Sequence, residues 1–151
     1  MKKKLLYSAL ALALGGGTGY VTTVWAQAKP EVLVKQRQAA MTLISKYFGP
    51  LGAMAKGKAP YNQEVVARNG KYLEALSQMP WDGFHPSTKD FDKTRALPAI
   101  YDDPAKFKEA QERMRSAIGK LAAAGDEGAL KAAVGEVGKA CGSCHNDFRA
   151  K

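Results

Sequence analysis

Residues 126–149, DEGALKAAVGEVGKACGSCHNDFR, combine a helical rhythm with a pair of cysteines. Asp126 is a good N-cap. Leu130, Val134, Val137, Cys141, Cys144 and Phe148 then recur at steps of three and four, the spacing of one helix face. Cys141 and Cys144 are three residues apart, so their sulfurs project from the same side of that helix. His145 follows Cys141 by four and shares the side. Cys-x-x-Cys-His is the attachment signature of c-type haem. The spacing lets two thiols reach the haem vinyl groups while the imidazole meets the iron.

Three other segments upstream carry the same rhythm. Asp103 caps a helix with Pro104 in its first turn. Its face is Phe107, Ala110, Met114, Ala117, Ile118 and Leu121, and Gly125 is expected to stop it. Asn62 caps another, with Val65, Asn69, Tyr72, Leu73 and Leu76 inward and Pro80 closing it. The first opens at Pro30. It carries two apolar rows, Leu33–Arg37–Ala40–Ile44–Tyr47–Leu51 and Arg37–Met41–Ile44–Phe48. Gly49-Pro50 is expected to bend or interrupt it, and Gly57 with Pro60 to end it. Four amphipathic helices, two short links and one long connection from Pro80 to Asp102 describe an antiparallel four-helix bundle, an all-α fold. Connections this long are often functional, and Trp81, Phe84 and Ile100 suit packing over something apolar.

The whole chain has 151 residues, 46% of them hydrophobic, and two cysteines. That supports one domain with a core and rules out a disulfide scaffold. The formal charge is +9. Lys2, Lys3 and Lys4, the apolar stretch Leu5–Leu14 and the small residues after it read as a secretory signal peptide. Cleavage after Ala26 or after Ala28 fits, and the former is preferred. Residues 1–26 are thus expected to be removed, leaving 27–151 as the mature domain in the periplasm. An uncleaved anchor over Leu5–Trp25 would place threonines and glycines in lipid. The segment holds three lysines and no acid, so the mature charge is +6. The remaining cations are dispersed, with no basic block. This argues against nucleic-acid binding and leaves room for steering an acidic redox partner.

Other chemistries compete for the cysteine pair. A thioredoxin-like pair wants a strand–helix unit, and no strand pattern is present. Zinc would have to use Cys141, Cys144, His145 and His85, with two adjacent ligands straining a tetrahedron. A disulfide is poorly placed at i,i+3 in a helix. His85, in a polar loop, reads as a surface residue.

Further motifs are Arg37-Gln38, Lys58-Ala59-Pro60-Tyr61, Pro80-Trp81 and the set Phe84, Pro86 and Thr88. With Cys-x-x-Cys-His near the C-terminus, the chain resembles the cytochromes c prime, the four-helix-bundle class II of c-type cytochromes. The resemblance runs from Lys29-Pro30-Glu31 to Phe148-Arg149. It implies one haem c inside the bundle, bonded to Cys141 and Cys144, with His145 as proximal iron ligand. It also implies Arg37 and Gln38 near the haem propionates, and Trp81, Phe84, Phe148 and Arg149 around the haem. Arg37 as a plain surface arginine, and Trp81 and Phe84 as plain core, are the simpler alternatives. Met41 occupies the distal position. There it is expected to cover five-coordinate iron, or else to bind it as a sixth ligand. The implied protein is no enzyme. It carries electrons, binds small gases such as nitric oxide or carbon monoxide, or does both. The alternatives are a low-spin His–Met carrier and a zinc- or disulfide-containing helical module. A homodimer through the first two helices is implied, with Ala39, Ala40, Ala53 and Ala55 allowing close approach. The redox partner is unknown.

Overall fold

The computed structural model describes residues 28–92 and 94–151. Residues 1–26, read above as a signal peptide, lie outside them. Among the described residues the fold is all-α, with α1 Pro30–Ala55, α2 Gln63–Leu76, α3 Ala99–Asp102, α4 Pro104–Gly119 and α5 Glu127–Phe148. Two short 3-10 turns, Trp81–Phe84 and Pro86–Thr88, sit in the long connection.

The starts of three long helices follow local chemistry. The side chains of Asn62, Asp103 and Asp126 accept hydrogen bonds from the backbone N–H of Val65, Lys106 and Ala129. Each satisfies a donor that a helix N-terminus otherwise leaves unpaired. Gly57 stops α1. At φ +66 it takes the left-handed conformation that favours glycine, and Lys58 N–H then reaches the Ala53 carbonyl at 2.8 Å.

α1 contacts α2 and α5, and α4 contacts α2 and α5. The start of α1, the end of α2, the start of α4 and the end of α5 thus share one end of the bundle. The long connection crosses this end. The core is in two parts. The larger includes Ile44, Leu51, Val66, Leu73, Ile118, Leu121, Leu130 and Val137. The smaller, at the shared end, is Ile100, Phe107, Ala110 and Phe148.

Several expectations need correction. Pro50 does not interrupt α1, which runs through it to Ala55. Gly49 before it has no Cβ to clash with the proline ring, so the helical path survives the lost hydrogen bond. In α2 the buried valine is Val66, not Val65, and Tyr72 is 46% exposed, its ring edge against Tyr47. α4 ends at Gly119, not Gly125, and Leu121 and Ala124 are buried in the link that follows. The long connection also contains α3 and the two turns.

Gly70 explains how close α2 comes to that link. A Cβ there would sit 2.5 Å from the Ala122 Cα, a backbone atom that cannot swing aside. Gly70→Val will cost about 3 kcal/mol, the upper end of ordinary overpacking. Gly135→Ala, on an exposed stretch of α5 with nothing near its new methyl, will gain about 0.5–1 kcal/mol. Urea unfolding of the two variants checks both signs.

Candidate functional site

The last two turns of α5 carry the cysteine pair. Cys141 and Cys144 are half-buried and form no disulfide. Burial pushes both above the ordinary thiol range, and for Cys144 the neighbouring Cys141 adds to the effect. The end of this helix is pinned to the long connection. Leu97 N–H donates to the Phe148 carbonyl at 3.0 Å, and Ala150 N–H donates to the Arg95 carbonyl at 2.8 Å. An isolated antiparallel bridge joins Ala96 and Arg149. His145, Arg149 and Arg95 are thereby held at one rim.

A cavity of about 1100 Å³ opens beside this helix. Its wall draws on both core clusters: Ile44, Leu73, Ile118 and Val137 from one, Ile100 and Phe148 from the other. The cavity therefore reaches from the shared end into the middle of the bundle. All ten residues singled out from the sequence line this space: Arg37, Gln38, Met41, Trp81, Phe84, Cys141, Cys144, His145, Phe148 and Arg149. Met41 comes from α1 and His145 from α5. Met41 is partly buried against the larger core.

Arg37 is no surface arginine. It is 3% exposed, and its guanidinium organises the long connection. Nη1 donates to the Gly83 carbonyl at 2.6 Å and to Thr88 Oγ1 at 3.0 Å, and Nη2 donates to Thr94 Oγ1 at 2.6 Å. Its Cζ lies 4.5 Å from the centre of the Phe84 ring. Gly83 must be small here, since a Cβ would fall 2.6 Å from the Leu33 carbonyl oxygen. Trp81 Nε1 donates to the Ser77 carbonyl at 2.7 Å, and its ring packs near Phe84 and Phe107. Phe107 meets Phe148 edge-on. Trp81, Phe84 and Phe148 are thus both core and cavity wall, with Phe107 behind them.

His85 does not line the cavity. Its Nδ1 accepts from Ser87 N–H at 3.1 Å and caps the Pro86–Thr88 turn. Among the described residues no group of three or more His, Cys, Asp or Glu side chains converges as a metal site. Sequence reasoning missed Thr94, Arg95 and Ala96, which also line the cavity. They lie in an aperiodic connection; pairing with residues 148–150 brings Arg95 and Ala96 to the rim, and the Arg37 guanidinium holds Thr94. Met114, Ile118 and Val137 were legible as core, but not as cavity wall.

The arrangement fits haem. The space is large and mainly apolar, two thiols and an imidazole share one face of its wall, and cations stand around it to meet carboxylates. Comparisons agree. Residues 32–149 match the family model described as Cytochrome C'. Cytochrome c' of Rubrivivax gelatinosus is 44% identical over 126 residues, covering 82% of this chain and 98% of that protein. Cytochrome c' of Alcaligenes xylosoxydans xylosoxydans is 42% identical over 127 residues, with shares of 82% and 98%. A crystal structure of the Rubrivivax gelatinosus protein superposes with TM-score 0.77 at 43% identity, covering 81% of this chain and 98% of that one. A nitric oxide complex of a leucine-to-alanine variant of cytochrome c prime from Alcaligenes xylosoxidans superposes at 0.76, with 42% identity and shares of 82% and 98%. Matched along its helices and at its cysteine pair, the chain belongs to the cytochrome c' family and carries haem c bonded covalently through Cys141 and Cys144.

Proposed function

We propose that this is an exported, periplasmic haem protein with five-coordinate iron that transfers electrons and binds small diatomic gases, with no enzymatic substrate. The carrying observation is that Cys141, Cys144, His145 and Met41 line one cavity from two helices. When bound, the haem would supply a one-electron couple and an iron able to take up a diatomic gas. In this reading residues 1–26 are the cleaved signal and 27–151 the working domain. Among the described residues no helix is long and apolar enough to cross a membrane.

The chain's own residues divide the work. Cys141 and Cys144 would hold the haem through thioether bonds to its vinyl groups. The imidazole of His145, one residue after the second anchor, would hold the iron on that side. Ile44, Leu73 and Ile118 exclude water from the interior. Arg37 holds the loop that carries Trp81 and Phe84, and its charge, with that of Arg149, favours the haem carboxylates; Gln38 adds a neutral polar group beside them. Met41, lining the cavity from α1, would cover the haem on the side away from His145 without bonding to iron. Its three rotatable bonds let it yield to an entering gas, and an apolar lid suits uncharged diatomics. The nitric oxide complex of the relative supports this gas-binding role.

The visible and EPR spectra of the ferric protein test the coordination. High-spin signals are expected. A methionine-to-iron charge-transfer band that vanishes in Met41→Ala would overturn it in favour of a His–Met electron carrier. With Met41 as a lid, Met41→Ala will speed carbon monoxide binding by about tenfold, equal to about 1.4 kcal/mol off the barrier. Stopped-flow mixing of the ferrous protein reads it. His145→Ala will keep covalent haem but change the spin state and reduction potential, and an unchanged spectrum and potential would assign the proximal bond to another residue.

A homodimer through α1 and α2 completes the proposal. Val32 and Leu43 lie eleven residues apart on α1, three turns along one face, and are 52% and 40% exposed. Tyr72 on α2 is exposed as well, and Ala39 lies exposed between the two α1 positions. Ala40 is buried within the bundle and belongs to the intrachain core. Sedimentation equilibrium of the wild type and Leu43→Glu checks the assembly, which should dissociate in the variant.

A further inference from the structure

The cavity mouth has a sign. Lys46 from α1, Arg95 from the long connection and Arg149 at the end of α5 line it, and all three are exposed. One carboxylate, Asp92, lines it with them. Elsewhere on the surface, six cations have partners: Lys35, Lys89, Lys106, Lys108, Arg113 and Lys120 each form an ion pair with an acid, while others, such as Lys56, Lys71 and Lys131, form none among the described residues and lie outside the cavity lining. None of those six lines the cavity, and none of the three mouth cations has an acidic partner among the described residues. Buried Arg37 adds a fourth positive charge to the wall, held by neutral oxygens and a ring. Haem brings two carboxylates. With Asp92 they make three negative charges against four positive ones, so the mouth keeps a positive excess.

The geometry points to this rim as the docking surface for an electron-transfer partner with an acidic face. The inference rests on the electron-carrier reading and adds where the partner approaches and what charge it bears. Unpaired cations around a low-dielectric opening focus the field outward and raise the encounter rate of anions. Cations already paired, or spread over the other faces, do this poorly. Three cations on three separate elements also bracket the opening, as a partner needing one fixed orientation requires. The elementary step is the transfer of one electron between haem iron and the partner's redox centre, one centre being oxidised as the other is reduced.

The test uses the holoprotein and small probes of opposite charge. At about 10 mM ionic strength, where the screening length is about 30 Å, the reduced protein is mixed with hexacyanoferrate(III) or with a cationic tris(bipyridine)cobalt(III). Lys46→Glu/Arg95→Glu should slow the anionic oxidant about tenfold and speed the cationic one. Lys71→Glu/Lys131→Glu, which makes the same change in net charge away from the cavity, should do neither. Binding is read separately from electron transfer. Hexacyanochromate(III), paramagnetic, should broaden amide signals of residues 45, 46, 94, 95 and 96 in the ferrous protein under carbon monoxide. It should spare residues 66–73, and about 1 M salt should abolish the effect. Equal responses of the two double variants, or even broadening over the surface, would overturn the rim. A reduced protein that gives its electron to neither oxidant would overturn the electron-carrier reading instead.

Discussion

Cys141→Ala/Cys144→Ala will be recovered without covalent haem and with most of its stability lost. The wild type, extracted with acid and organic solvent, should keep its colour on the denatured chain; the double variant should keep none. The size of the cavity sets the magnitude. Empty space in a core costs about 24 cal/mol per Å³, so one tenth of 1100 Å³ left vacant costs about 2–3 kcal/mol. Whole domains are stable by only about 5–15 kcal/mol. The apolar wall of this space thus depends on the haem for packing partners. The two alanines remove both tethers but leave the wall apolar, so haem binds reversibly at best. Each single variant keeps one tether and should fall between, with covalent haem in lower yield. Circular dichroism melts read the stability. A wild type whose colour extracts completely, or a double variant that melts with the holoprotein, would refute the tethering.

The helices were legible because their signals are local. Capping by Asn62, Asp103 and Asp126 needs only the residue and the N–H three positions on. The inner face of α4 emerged as read, since Phe107, Ala110, Met114, Ala117 and Ile118 are all buried, and Leu121, read with them, is buried in the link that follows. The stop of α4 was misread because Gly119 and Gly125 are equally good breakers, and only packing against Gly70 decides between them. Val66 replaced Val65 for a similar reason. Adjacent valines differ by a hundred degrees around a helix, and the neighbours choose which one faces in. At the site, the cysteine pair and histidine follow from spacing within a single helix. The long connection does not. Arg95 reaches the cavity through pairing with the end of α5, and Thr94 is held there by Arg37, both contacts between segments more than fifty residues apart. The burial of Arg37 was hidden too, because its acceptors are a backbone carbonyl and two threonines rather than an acid whose charge would have announced a pair.

Arg37→Ala will cost about 3–5 kcal/mol, the scale for stripping a buried charged group from its hydrogen-bonded partners. Three charge-assisted hydrogen bonds disappear at once, to Gly83, Thr88 and Thr94. Thr88 retains Tyr101 at 2.8 Å and the His85 carbonyl at 2.8 Å, so its hydroxyl stays satisfied. The Gly83 carbonyl retains only Thr88 at 3.5 Å and is close to an unpaired buried acceptor. The Phe84 face also loses its cation. Damage should therefore concentrate in residues 83–94 and spread through Phe84 to the cavity wall. Hydrogen exchange should accelerate there in the variant while α2 and the first half of α5 remain protected. Arg37→Lys restores charge without the fork. A single ammonium cannot span acceptors on both sides as the guanidinium does, so it should recover less than half the loss. Urea unfolding of the holoproteins at matched haem content, with exchange measured by mass spectrometry, separates loop loosening from loss of haem. An Arg37→Ala holoprotein within about 0.5 kcal/mol of wild type, the ordinary range for a surface substitution, would mean that the guanidinium does not hold the connection.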